Sequence, residues 1–262
     1  MRASGTDPTT APTTAPAPGP ATAGILDAPS PNHGDRRGAP PDVALLHYTA
    51  MPTAEAALER LRDPAAEVSA HWLIAEDGRV WRLVEEARRA WHAGLAGWGA
   101  VCDVNSRSIG IELANPGDAP FPEPQMAALE RVLGGVLDRW RVRPERVLGH
   151  ACVAPLRKAD PGPRFDWRRL ARRGLAVWLD PPRSADAREA DPAAFRAAAR
   201  RFGFALPAEG GWDAHACAVA RAFRDRFRPW ERRGDGPLDA AAQAHLEALA
   251  TRWPVAAEAA PA

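Results

Sequence analysis

The chain has few cysteines. Its 262 residues include three, Cys102, Cys152 and Cys217. They are scattered and odd in number, which excludes a closed disulfide framework and a CxxC zinc site. They read as small buried residues, with no support for a redox role. Long apolar runs are missing as well. No stretch reaches the ~18 residues of a membrane helix, and no apolar segment near Met1 reads as a secretory signal. An excess of either charge is also absent. Lys and Arg number 34 against 33 Asp and Glu, a formal net charge of +1. That balance gives no argument for a nucleic-acid partner. Tyrosine occurs once, whereas histidine occurs seven times and tryptophan ten. Flat apolar rings with an N–H handle suit carbohydrate and peptide grooves. More than half of the tryptophans are nevertheless expected in the core.

Composition divides the chain into four parts. Residues 1–24 are Ala, Pro and Thr with hardly a large apolar side chain, and read as a disordered leader. Residues 25–181 mix strand and helix patterns. VALLHY (Val43–Tyr48) reads as a buried strand. Thr53–Arg62 reads as a helix with Ala54, Ala57, Leu58 and Leu61 on one face. Asp77-Gly78 between two β-prone runs signals a hairpin. RSIGIELA (Arg107–Ala114) reads as a strand. Glu123–Trp140 carries Met126, Leu129, Val132, Leu133, Val136, Leu137 and Trp140 on one helical stripe. VLGH (Val147–His150) closes the series as a short strand. The expected fold class is α/β, with a single mixed central sheet flanked by helices.

Residues 182–255 change character and read as a small all-α three-helix domain. Asp191-Pro192 looks like an N-cap and first-turn proline. Residues 256–262 read as a flexible tail.

Chemistry concentrates at strand ends. His47 ends one predicted strand and His150 another. Asp160 follows in a loop stiffened by Pro161 and Pro163. Strand ends share one rim of a sheet, where sites are built. Two imidazoles and one carboxylate can hold zinc with a fourth position open to water. A single histidine at a strand end is more often the partner of a backbone carbonyl, so spacing leaves both readings open.

Five ordered motifs narrow the choice. LLHYTAM, VSAHWLIAEDGRVWRLV, RAWHAG, NSRSIGIELAN and GHACVAPLRKADPGPRFDW, preceded by SPNHGDRRG, resemble the zinc-dependent N-acetylmuramoyl-L-alanine amidases. This amidase_2 group is related to the peptidoglycan recognition proteins. AmiD-type members also carry a C-terminal helical domain similar to peptidoglycan-binding modules, and FRDRFRPW…LDAAAQAHLEAL looks like that domain. The resemblance covers about residues 25–255.

It implies one Zn2+ per chain, with His47, His150 and Asp160 as ligands. It implies catalytic roles for Glu112, as proton carrier, and Lys158, as the cation beside the tetrahedral intermediate. Alternation places Glu112 opposite Ile109 and Ile111, which gives its face but not its role. Without the motif Glu112 would read as a surface carboxylate and Lys158 as a solvated loop lysine. Substrate contacts are expected from His92, His71, Asn115 and Trp91, with structural hydrogen bonding as the alternative for the two histidines and core as the alternative for Trp91. Trp98 is either a groove wall or core. His33, His215 and His245 look incidental. Cys152 stands where relatives often carry Asp or Ser, and its side chain is expected to point away from the metal.

The expected reaction is hydrolysis of the amide between the lactyl group of N-acetylmuramic acid and L-alanine, in peptidoglycan or muropeptides. The alternative is a non-catalytic peptidoglycan-binding protein of the same fold. No membrane segment and no nucleic acid are expected, and the chain is expected to be a monomer. The missing signal sequence favours the cytoplasm and the helical domain favours the cell envelope. The envelope is preferred on the assumption of a longer true N-terminus. Removing the helical domain is expected to weaken binding to intact sacculi more than cleavage of small muropeptides.

Overall fold

A computed structural model describes residues 24–182, 186–231 and 235–255. Residues 1–23 of the expected leader and the whole expected tail lie outside the described residues. The elements run β1 (Ile25–Asp27), β2 (His33–Gly34), β3 (Val43–Tyr48), α1 (Ala54–Arg62), β4 (Trp72–Ile74), β5 (Val80–Arg82), β6 (Arg89–Ala90) and α2 (Val104–Arg107). They continue as β7 (Ser108–Leu113), α3 (Glu123–Trp140), β8 (Val147–Gly149), α4 (His150–Val153), α5 (Trp167–Arg172), α6 (Pro192–Phe202), α7 (Ala214–Phe227) and α8 (Ala240–Arg252).

VALLHY is apolar at successive positions because its strand is covered on both faces. Val43 and Leu45 point into one core, with Leu148 of β8 and the aromatic side chains of α6 and α7. Ala44 and Leu46 point into a second, with Ile109, Ile111 and Leu113 of β7 and the apolar stripe of α3. The C-terminal helices therefore share a core with the sheet. A third cluster joins Ala54, Ala57 and Leu61 of α1 to Leu73 and Trp81.

The main sheet has the order β1-β5-β4-β7-β3-β8. It is mixed, as expected. β4 and β5 form the antiparallel hairpin, and Gly78 supplies the positive φ (+88°) its turn requires. The neighbours of β7 and β3 are parallel to them. β2 and β6 form a separate two-stranded ribbon.

Side-chain caps set the helix starts. Thr53 accepts from the Ala56 amide, and Asp191, Asp213 and Asp239 each accept from the amide three residues on, opening α6, α7 and α8. A cap of this kind contributes about 1 kcal/mol. None of the described helices is long and apolar enough to cross a membrane.

Three expectations need correction. The predicted strand 147–150 ends at Gly149, and His150 opens a one-turn helix instead. Cys102 is exposed and Cys217 half-buried, so only Cys152 is a buried thiol. Four tryptophans are buried, Trp72, Trp81, Trp98 and Trp167. That is fewer than half; Trp140, Trp178, Trp212 and Trp253 pack against the cores while only partly buried.

Candidate active site

β3 lies between β7 and β8 and parallel to both. The register sets His47 beside Glu112 and Leu46 beside Gly149. His47, Glu112 and His150 thus leave the carboxyl ends of three adjacent parallel strands, the rim where open sheets of this type place their sites. Asp160 reaches the same rim from the loop after α4. The Ala151 amide donates to the Asp160 carbonyl at 2.9 Å and folds that loop back. Pro161 then packs against Gly149, where a Cβ would lie 2.6 Å from its Cδ. The glycine before His150 is what allows the loop to close.

Three ligand-type atoms meet there. His47 Nδ1 is 3.0 Å from His150 Nδ1 and 3.0 Å from Asp160 Oδ2, and His150 Nδ1 is 3.1 Å from the same oxygen. All three residues are buried. His150 Nε2 lies 3.0 Å from the Ala93 carbonyl. A carbonyl only accepts, so Nε2 carries a proton, and a neutral ring so held turns the Nδ1 lone pair toward His47 and Asp160. Two imidazole nitrogens and a carboxylate oxygen this close repel unless a proton or a cation lies among them. Ligands about 2.0–2.2 Å from one tetrahedral ion stand only slightly farther apart than this. The group fits a divalent metal ion.

Electrostatics agree with that fit. Burial, with the His150 ring beside it, pushes His47 down to about 4, so the ring is neutral at pH 7. Burial alone would raise the Asp160 carboxyl, but the His150 and His47 rings packed against it hold it well below the usual carboxylate range. The neutral His47 ring and the ionised Asp160 carboxylate are the forms that bind metals.

A second layer fixes both rings. His47 Nε2 lies 3.1 Å from His92 Nδ1. With Nδ1 of His47 bare, its Nε2–H donates to His92. The His92 Nε2–H then donates to Ser108 Oγ at 3.3 Å, whose hydroxyl donates to the Val104 carbonyl at 2.5 Å. The next residue, Ala93, supplies the carbonyl that fixes His150. Asn105 Oδ1 accepts from the backbone amides of both His92 and Ala93, at 3.1 and 2.8 Å. One two-residue segment therefore orients both imidazoles, and one asparagine holds it. Gly110 makes room: a Cβ there would lie 2.5 Å from the His92 ring.

Glu112 is half-buried, but its Oε2 is enclosed and has no hydrogen-bond partner. Burial, with Asp160 adding to it, pushes its pKa up to about 8, while Lys158 pulls the other way. Such a carboxyl can take and return a proton near neutrality. Lys158 is half-buried, and its charge is felt by both Glu112 and His47.

The residues expected to touch substrate are scattered. His71 is fully buried, its Nε2 2.8 Å from Arg36 Nη2 and its Nδ1 accepting from the Gly110 amide at 2.9 Å. Asn115 is 2% exposed and braces its own loop, donating to the Ala119 carbonyl and accepting from the Gly117 amide. Trp91 is half-buried on the segment leading to His92. Trp98 is core, packed edge-on against Phe202 and Phe204. Cys152 turns from the site into the core, where its Sγ lies 3.8 Å from Arg226 Nη1.

Sequence reasoning missed Asn105, Ser108 and the Ala93 carbonyl. The first two stand inside NSRSIGIELAN, but nothing in their spacing tells that they face RAWHAG.

Comparison with known proteins agrees with this geometry. The family profile for N-acetylmuramoyl-L-alanine amidase matches residues 37–163. The amidase AmiD of Escherichia coli K12 is 34% identical over 234 residues, covering 80% of this chain and 83% of that protein. The 1,6-anhydro-N-acetylmuramyl-L-alanine amidase AmpD of Haemophilus influenzae is 32% identical over 157 residues, covering 52% of this chain and 85% of that protein. The structure of E. coli AmiD with anhydro-N-acetylmuramic acid-L-Ala-D-gamma-Glu-L-Lys superposes with a TM-score of 0.74 at 32% identity, covering 84% of this chain and 91% of that one.

Proposed function

This chain belongs to the family of N-acetylmuramoyl-L-alanine amidases and hydrolyses the amide between N-acetylmuramic acid and L-alanine; we propose that it does so with one zinc ion held by His47, His150 and Asp160. The observation that supports this most strongly is the triangle of ligand atoms with sides of 3.0–3.1 Å. Bound zinc supplies Lewis acidity toward the amide carbonyl and toward water at neutral pH.

The chain's own residues do the rest. Glu112, beside His47 in the register, accepts the proton of the attacking water and returns it to the departing L-alanine amine. The amine is a poor leaving group until protonated, so one carboxyl serves both steps. Lys158 offers a fixed positive charge to the oxyanion that develops on the carbonyl. His92 and Ala93 keep the two imidazoles in the tautomer that faces the metal. Residues 25–181 carry the chemistry, and residues 182–255 add a surface for peptidoglycan.

The metal assignment is tested by measuring zinc in purified H47A, H150A and D160A proteins. Each is expected to lose zinc and cleavage together. Stoichiometric zinc in any of them removes that residue from the ligand set.

A further inference from the structure

Helix α7 lies over the segment that runs from His150 to Asp160. Arg221 Nη2 donates to the Pro155 carbonyl at 2.6 Å and reaches the Lys158 carbonyl at 3.4 Å. Its Nη1 pairs with Asp235 at 3.1 Å, on the side facing water. Five residues on, Arg226 is 2% exposed. Its Nη1 lies 3.8 Å from Cys152 Sγ and its guanidinium 4.2 Å from the centre of the Trp167 ring. Arg226 has no carboxylate partner among the described residues, and its Nε and Nη2 are enclosed without hydrogen bonds. Cys152 and Val153 belong to the same core as Phe223 and Phe227 of α7.

A buried guanidinium without a counter-ion is costly. A helix that served only to hold the enzyme on its substrate would not need to put one under the active-site loop. α7 grips that loop at Cys152, Pro155 and Lys158, between the two residues that end it at the metal site. The loop has no strand or long helix of its own to hold it. We infer that Arg221 is a positioning residue for Lys158, and that the C-terminal helical unit belongs to the catalytic apparatus through α7. The inference rests on the amidase reading above, in which Lys158 faces the reacting carbonyl.

Lys158 is the only lysine in the sequence, which gives a probe independent of turnover. The full-length, zinc-loaded protein is labelled with 13C-lysine, and its single side-chain signal is compared between the wild type and Arg221→Ala. Rates are measured on a soluble anhydro-muropeptide, which removes binding to polymeric wall from the comparison. The expected result is a shifted or broadened lysine signal, unchanged zinc content, and a kcat lower by about ten- to a hundredfold, with KM changed by less than about twofold. Arg221→Lys, which keeps a donor, is expected to recover part of the rate. An unchanged lysine signal with unchanged kcat overturns the inference. A shifted signal in a protein whose wild type cleaves nothing keeps the brace and discards the amidase reading.

Discussion

His92 Nδ1 lies 3.1 Å from Nε2 of His47, on the side of the ring opposite the ligand atom. The two residues are far apart in sequence, yet one sets the tautomer of the other. Replacing His92 by Ala leaves the His47 Nε2–H without its acceptor, and replacing Asn105 by Ala releases the segment that also fixes His150. Each change is expected to weaken zinc binding about 10- to 100-fold, as the loss of such outer partners does elsewhere. Competition with a chromophoric chelator measures this. Unaltered affinity in both variants contradicts the orienting role.

Glu112 is assigned proton transfer and not metal binding. Glu112→Gln keeps the shape and loses the titratable oxygen. It is expected to retain zinc while kcat falls about 100- to 10,000-fold. Metal analysis beside a muropeptide assay separates the two effects. A near-normal rate removes the assignment.

The same carboxyl makes the metal-free protein sensitive to pH. Its pKa is pushed up to about 8 from the ordinary 4.5, chiefly by burial. The folded chain therefore binds this proton more tightly than the unfolded chain. The stabilisation is complete below about pH 4.5 and is lost as pH rises through 8. His47 acts in the opposite sense, because its pKa is lowered to about 4 and unfolding takes up a proton below pH 6.5. Comparison with Glu112→Gln isolates the glutamate. Between pH 5 and 8.5, metal-free wild type should lose more stability in urea than the variant. Parallel behaviour of the two would show that Glu112 does not hold its proton in the fold.

Deletion of everything after Pro182 tests the construction of the core. It removes Phe195, Phe202, Phe223, Phe227 and Leu246 from the cluster that covers Val43, Leu45 and Leu148. Truncating one such aromatic costs about 3–5 kcal/mol, a large share of a domain's stability. The shortened chain is expected to lose cooperative melting, and with it cleavage of soluble muropeptides as well as of sacculi. The expectation from sequence differs, with binding to intact sacculi weakened more than cleavage of small muropeptides. A truncated protein that melts sharply and cleaves muropeptides at the full rate would show that the helices are separable.

The sheet was legible where a strand was long or its turn was marked. VALLHY, RSIGIELA and the Asp77-Gly78 hairpin were all visible, as was the full span of α3. β1, β2 and β6 were not, because two or three residues carry no period. The one-turn helix at His150 was hidden for the same reason. His47, Glu112, His150 and Asp160 stand in the ordered motifs; parallel register explains why the first three meet, and the fold-back of the loop onto Ala151 and Gly149 brings in Asp160. His92 was recognised as important, with substrate contact and structural hydrogen bonding both open. Its place behind His47 depends on the absent side chain of Gly110, which stands on β7 beyond a loop and α2. The grip of α7 on the Lys158 loop was invisible for a similar reason. Arginine side chains on a helix of unknown packing do not announce which carbonyls they will reach.

The central claim is that this site cuts the muramyl–L-alanine amide with a metal held by His47, His150 and Asp160. The measurement that tests it most directly is mass spectrometry of an anhydro-muropeptide incubated with the zinc-loaded protein, with a chelator, and with zinc restored. The account predicts free stem peptide beginning with L-alanine, lost on chelation and recovered with zinc. Substrate that is bound but left intact in the presence of zinc would contradict it and leave a peptidoglycan-binding protein of the same fold.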